Sequence, residues 1–459
     1  MSLIGARRSP AACASLFALA VSVSMHAGDC PSSTVNPQAA QRRLDELGKN
    51  AQVEMAQHRF TEAVRDFKEA ACLSSRDPRI FYALGSSEAA AGDFMSARKA
   101  LATADHLQPG NPLPLVMLAR VNVSMGDVDS LKATLSEAAV RFAANSDLHA
   151  ALAHFLLQNK LFDLALAEAL RSQKAGGATP QSTMDLAILE NNVGAYTDAI
   201  RNAMAIEGQT NLPVAVRASA AGVAGLSYES AGQPEPAISR LRAAIQLDPS
   251  QENSYLALAF LLDKAHRYAE AVEVLEQGRA KLPQSTPLLL PLGSDLILSE
   301  RYAAGIDVLK ELLRKMPNEY DAYIKLADAF RKTGASIQEV KILHELGSRN
   351  PDYPGIHLLL ARATLNLDPV DYTKTLDELA LAEKRSPLEA EIFYLRGRAY
   401  LATNHSEEAV AALRRAIELG PMDPGPYYQL ARLYEKLGQK EMARNTFARM
   451  RYLKSNAAQ

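Results

Sequence analysis

Small residues recur along this chain at an almost constant interval, and that register limits what the chain can fold into. They stand at Ala51, Gly85, Ala119, Ala153, Ala187, Gly225, Ala259, Gly293, Ala327, Ala361, Gly397 and Ala431. The interval is 34 residues, except for 38 between Ala187 and Gly225 and 36 between Ala361 and Gly397. Leucine precedes the small residue in nine of the twelve cases. A fixed period of this length marks a stack of like units, none of which buries its apolar face alone. The stretch Glu389 to Asp423 shows the unit best. Phe393, Gly397 and Tyr400 lie at i, i+4 and i+7 on one helical face. Ala409, Leu413 and Ala416 form a second such face, and Pro421 ends it.

Other residue types keep the same register. Twelve residues after the small residue comes alanine, at Ala63, Ala97, Ala165, Ala199, Ala237, Ala271, Ala409 and Ala443. Gly305 and Glu339 interrupt that column. Seven residues after the small one, where a first helix must turn, glycine stands at Gly92, Gly126, Gly194, Gly232, Gly334 and Gly438, with Asn404 as a substitute. A helix end often needs positive φ there, which glycine adopts freely and asparagine tolerates. Two residues further an aromatic follows, as at Phe60, Phe94, Phe162, Tyr196, Tyr268 and Tyr302. Prolines such as Pro109, Pro249, Pro317 and Pro421 separate one unit from the next. Small residues let two helices approach where their axes cross, and larger ones fill the space around the crossing. The two longer intervals predict a four-residue excess between Ile206 and Arg217 and a two-residue excess near Asp368 to Thr375. The first is a candidate joint between a block of five repeats and a block of seven.

The pattern resembles the tetratricopeptide repeat family. That family shows a large residue, then Leu-Gly or Leu-Ala, an aromatic, alanine, a large residue, alanine and proline. Residues 78–111 carry it as Phe81, Leu84-Gly85, Ala97, Leu101, Ala104 and Pro109. The resemblance covers Leu44 to the C-terminus, with a degenerate first repeat in which Asn50 replaces leucine. It implies an all-α fold, a right-handed α-solenoid superhelix of about twelve helix-turn-helix repeats. Absent tryptophan, 6% aromatics and no Val/Ile-rich run bounded by turn residues agree with an all-helical chain.

The first 27 residues stand outside the register. Arg7 and Arg8 precede a mostly apolar run from Ala11 to Met25 and a small residue at Ala27, the order of a secretory signal peptide cleaved near Ala27. The apolar run is short for a membrane span. Residues 28–43 read as an unstructured lead-in, residues 44–217 as repeats one to five and 218–459 as repeats six to twelve. No later run is apolar enough to cross a bilayer. Cys30 and Cys72 would remain after cleavage, and both bonded and free states stay open.

No catalytic or metal motif appears. His344-Glu345 lacks the second histidine of a zinc helix, and Gly48-Lys49 lacks a glycine-rich lead. His149 and His154 are poorly placed to share a helical face and read as surface or groove residues. No cofactor is expected, nor an enzyme. A net charge of −2 gives no reason to expect nucleic acid.

In a solenoid of helix pairs the first helix of each pair lines the concave surface. The family resemblance implies that ligand contacts come from first-helix residues facing away from the packing face. In the middle these are apolar: Ile188, Leu226, Leu256, Phe260, Leu290 and Ile297. Toward the C-terminus Arg362, Arg398 and Arg432 form a column, with Tyr394 and Tyr428 one turn away. Residues 384–459 hold 13 basic and 8 acidic side chains. The expectation is a non-catalytic protein-binding scaffold in the bacterial cell envelope, periplasmic or secreted. Its partner is a peptide or protein held by arginines and tyrosines. The bland alternative pairs those arginines with Glu391 and Glu435. Two other readings are a chaperone-like carrier using the apolar middle, and a cytosolic adaptor if residues 1–27 are retained. Met442, Phe447 and Met450 on the last helix are candidates for self-association.

Overall fold

A computed structural model describes residues 36–456. The expected signal peptide, most of the lead-in and Cys30 lie outside the described residues. Within them the chain forms 24 helices and no strand. The first ten are α1 (Pro37–Ala56), α2 (Phe60–Leu73), α3 (Pro78–Ala90), α4 (Phe94–Leu107), α5 (Leu113–Met125), α6 (Val128–Arg141), α7 (Ser146–Gln158), α8 (Phe162–Lys174), α9 (Pro180–Asn192) and α10 (Tyr196–Glu207). Then follow α11 (Val214–Ser230), α12 (Pro234–Leu247), α13 (Glu252–Lys264), α14 (Tyr268–Lys281), α15 (Leu289–Leu298), α16 (Tyr302–Lys315) and α17 (Tyr320–Lys332). The last seven are α18 (Ser336–Arg349), α19 (Ile356–Thr364), α20 (Tyr372–Arg385), α21 (Ala390–Ala402), α22 (Ser406–Leu419), α23 (Pro424–Lys436) and α24 (Lys440–Asn456). Odd-numbered helices are the first of each pair. The chain divides into two compact units, one ending at Asn202 and the other beginning at Ala203.

The small residue of each pair sits at the helix crossing. At Gly85, Gly225, Gly293 and Gly397 an added Cβ would stand 2.6–2.7 Å from a γ-carbon or δ-carbon of Leu101, Leu241, Leu309 and Leu413 respectively. Each of those leucines lies sixteen residues on, in the second helix of the same pair, and each is almost fully buried. The crossing is therefore a glycine or alanine pressed against a large apolar side chain. Gly305, which interrupts the alanine column, has its own reason. A Cβ there would meet Ile297 Cγ1 at 2.9 Å and the Gly293 carbonyl oxygen at 3.0 Å, so this pair crosses on two glycines.

In every pair but α19–α20 the turn between the helices is left-handed at one residue. Positive φ occurs at Gly92, Gly126, Gly194, Gly232, Gly334 and Gly438, as the glycine column predicts, and at Asn404. It also occurs at His58, Lys160, His266 and Glu300, which occupy the same register position. Geometry is thus conserved where the residue type is not, at a conformational cost of about 1 kcal/mol at each non-glycine. Between pairs, Tyr255, Tyr323 and Tyr427 each donate a hydroxyl hydrogen bond to the carbonyl of Pro249, Pro317 and Pro421, at 3.2, 3.1 and 3.2 Å. The proline stops one helix, and the next pair's tyrosine ties down the resulting loop.

One expectation needs correction and two others take definite form. Helix α1 begins at Pro37, with the Asn36 side chain accepting from the Gln38 amide, so residues 37–43 are helical rather than part of a lead-in. The four-residue excess between Ile206 and Arg217 is taken up as helix: α11 has 17 residues where α13 and α17 have 13. Four residues make about one turn, so the extension leaves the packing face in phase. The two-residue excess does fall in a loop, between α19 and α20. There α19 ends early at Thr364, whose hydroxyl bonds the Thr375 hydroxyl at 3.0 Å in a buried contact across the loop.

Two substitutions test this account by circular dichroism during chemical denaturation. Gly293→Val should destabilise by about 2–3 kcal/mol, because Leu309 and the Gly305 carbonyl wall the site. Glu300→Gly should stabilise by about 1 kcal/mol by relieving a left-handed residue.

Candidate functional site

The candidate contact surface is the first-helix face, taken separately in each unit. In the C-terminal unit the arginine column does not act as three equal members. Arg362 of α19 makes a bidentate ion pair with Glu391 of α21, its Nε and Nη2 lying 2.8 and 2.7 Å from the two carboxylate oxygens. That paired geometry occupies the guanidinium, which corrects the expectation of a free Arg362. Arg398 of α21 and Arg432 of α23 carry no ion pair or side-chain hydrogen bond among the described residues, and Glu435 does not neutralise Arg432. Pairing with a carboxylate therefore holds for Arg362 and not for the other two.

The tyrosines divide as well. Tyr428 is 43% exposed, with its ring edge-to-face against Phe447 of α24 at 6.3 Å between centroids. Tyr394 packs half-buried against two core clusters, so packing uses the face of α21 that was expected to be spare. Its contact with Leu413 and Leu430 neighbours holds α21 and α23 together beside Arg398 and Arg432.

The apolar middle is partly as expected. Leu226 of α11 and Phe260 of α13 are exposed, the latter at 59%, while Ile188 of α9, Leu256 and Leu290 are half-buried. Ile297 of α15 is only 3% exposed and belongs to the core, since it is one of the side chains that Gly305 makes room for. Lys264 stands over the Phe260 ring at 5.5 Å and pairs with Glu229 at 2.6 Å, so the exposed aromatic is bordered by an ion pair.

Sequence reasoning missed one group here. Asp295 of α15 is 3% exposed, and burial pushes its carboxyl up to about 7, helped by Asp263 of α13 and opposed by Lys325 of α17. Nothing in the local sequence separates this aspartate from a surface one. Its burial follows from lying between neighbouring first helices, two residues past Gly293. His149 also departs from expectation. It is fully buried, with Nδ1 2.6 Å from Glu168 of α8, whose other oxygen takes Arg171. His154 does sit on the first-helix face, with Nδ1 2.9 Å from Asp185. No group of three or more potential metal ligands occurs among the described residues. No helix among them is long and apolar enough to cross a membrane.

A stack of helix pairs crossing on small residues, with left-handed turns at a fixed position, defines a helical-repeat protein. Tetratricopeptide repeat models match residues 49–112, 229–292 and 427–452, and a further TPR repeat model matches 397–438. Over those stretches the chain carries tetratricopeptide repeats, and the repeats support a protein–protein interaction scaffold. No curated protein matches the sequence. Among solved structures, the C-terminal part of a TPR repeat-containing protein from Cytophaga hutchinsonii is 17% identical, with TM-score 0.42, covering 61% of this chain and 98% of that one. A tetratricopeptide repeat protein from Parabacteroides merdae is 15% identical, with TM-score 0.38, covering 55% and 98%. The Cut9–Hcn1 hetero-tetramer of the APC/C is 13% identical, with TM-score 0.36, covering 90% and 94%.

The Asp295 carboxyl carries a pH signature. Its folded pKa lies above its unfolded value of about 3.9, so its contribution to stability is complete below pH ~4 and is lost as pH rises through about 7. Asp295→Asn should remove that slope and raise stability at pH 8 by on the order of 2 kcal/mol. Denaturation midpoints at pH 5 and pH 8 measure both effects.

Proposed function

We propose that this protein is an exported scaffold of the bacterial cell envelope that holds an acidic protein segment along the first helices of its C-terminal repeats. The observation that carries the reading is the pair of unneutralised guanidinium groups, Arg398 and Arg432, on successive first helices beside the exposed Tyr428. Several other surface arginines, among them Arg362, Arg141 and Arg240, are held by carboxylates of a neighbouring pair. Two cations left open beside an aromatic suit carboxylates and an adjoining apolar side chain. Export rests on the charged, apolar, small-residue order of residues 1–27.

A second reading rests on Leu226 and Phe260. These exposed apolar side chains on adjacent first helices suit an extended apolar ligand in a carrier-like role. Self-association through α24 is the weaker course, because Phe447 is already engaged by Tyr428 and Met450 is half-buried.

Affinity capture from the native envelope fraction separates the first two readings. Arg398→Glu with Arg432→Glu should lose the captured partner at least tenfold while helicity stays unchanged, and Phe260→Ser should retain it. The reverse pattern would establish the carrier reading in its place. N-terminal sequencing of the mature protein should begin near Gly28; a retained Met1 would return the scaffold to the cytosol.

A further inference from the structure

The stacking face of α24 is built differently from that of the second helices before it. In α22, Val410 and Ile417 pack against Leu430 and Tyr434 of α23 and so seat the next pair. In α16, Ile306 and Leu313 lie in the corresponding positions, packed in the cluster that holds Leu326 of α17. One period on from Val410 and Ile417, α24 carries Arg444 and Arg451. Two aliphatics that would seat a following pair are thus replaced by two cations, and both are exposed.

Those cations are part of a longer row. Lys440, Arg444, Arg451 and Lys454 follow at i, i+4, i+11 and i+14, which places them along one side of a 17-residue helix. Arg449 adds a fifth positive charge, against the single acid Glu441. Among the described residues no ion pair involves any residue beyond Glu418, whereas such pairs bind second helices to their neighbours through most of the preceding chain. Away from the row, Met442 on the opposite side of the helix and Tyr452 about a third of a turn round are 46% and 53% exposed, with Arg449 over the Tyr452 ring at 5.1 Å.

We infer that α24 docks the protein on an anionic phospholipid surface. A straight row of long, unpaired cations offers no enclosing pocket. It matches a planar array of phosphates, to which arginine binds in bidentate fashion. The charge contribution follows the rule for basic clusters on anionic leaflets, roughly fivefold in affinity per residue at low salt. This surface is separate from Arg398 and Arg432, so it stands whether or not the groove reading holds.

The test is flotation of the full-length mature protein with two kinds of vesicle, pure phosphatidylcholine and a mixture of phosphatidylcholine with phosphatidylglycerol. The protein should float with the anionic vesicles alone, with affinity falling steeply as salt rises. Arg444→Glu with Arg451→Glu should weaken flotation at least tenfold, Arg444→Gln with Arg451→Gln by a smaller factor, and Arg398→Glu with Arg432→Glu not at all. All these side chains point to solvent or stand unpaired, and unchanged melting curves will show that the variants fold. Failure of the parent protein to float, equal flotation with neutral vesicles, or retained flotation in the Arg444/Arg451 reversal would overturn the inference. So would binding of a single-stranded RNA or an acidic peptide that depends on Arg444 and Arg451 when anionic vesicles are not bound.

Discussion

The structure depends on one contact repeated along the chain: a glycine or alanine in the first helix, with a leucine or phenylalanine sixteen residues later in nine of the twelve pairs. Where the small residue is glycine, no space remains for a Cβ, as the distances to Leu101, Leu241, Leu309 and Leu413 show. Close approach maximises the apolar area each short helix removes from water, and helices of 13 or 14 residues have little to spare. The left-handed turn residue follows from the same contact. Two helices that cross so tightly need an abrupt reversal, and the chain accepts positive φ at His58, Lys160, His266 and Glu300 to obtain it.

Once packing is assigned to the small residues and their partners, the rest of each first helix is released for other work. In an ordinary globular core a leucine and an arginine in adjacent turns would compete for the same interior. Here Leu395 is buried in the stack while Arg398, three residues on, is left without a partner beside the Tyr394 packing layer. The same division governs Phe260, exposed next to the buried Leu258 and Ala259. A repeat scaffold can thus vary its contact surface one side chain at a time without disturbing the crossing. Arg362 illustrates how such a position is silenced: Glu391, twenty-nine residues away in the next first helix, clamps it with two hydrogen bonds.

The sequence made the architecture legible because its information is periodic. The small-residue register predicts all the helix pairs, and the glycine column predicts the turn even where Glu300 or His266 hides it. What it could not show depends on neighbours that differ from pair to pair. Asp295 is buried because of where α13 and α17 press, and its own surroundings in the chain read like any helix end. His149 stands in a column otherwise held by residues such as Phe81, Leu115 and Tyr255, and its burial was missed because a histidine was weighed singly rather than against that column. The helical form of the α11 excess is not legible because an insertion of one helical turn preserves the apolar phase that periodicity detects. For the site, the column of arginines was visible, but the carboxylate that neutralises one of them was distinguishable from its neighbours only in three dimensions.

The central claim is that the first-helix face of the C-terminal repeats, opened by Arg398 and Arg432, is the contact surface of this scaffold. Hydrogen–deuterium exchange on the protein with its captured partner tests it most directly. Protection should concentrate on α21 and α23, through residues 394–398 and 428–432, and leave α11 and α13 near their free rates. Protection centred on α11 and α13 instead, or spread over the second helices, would contradict the account.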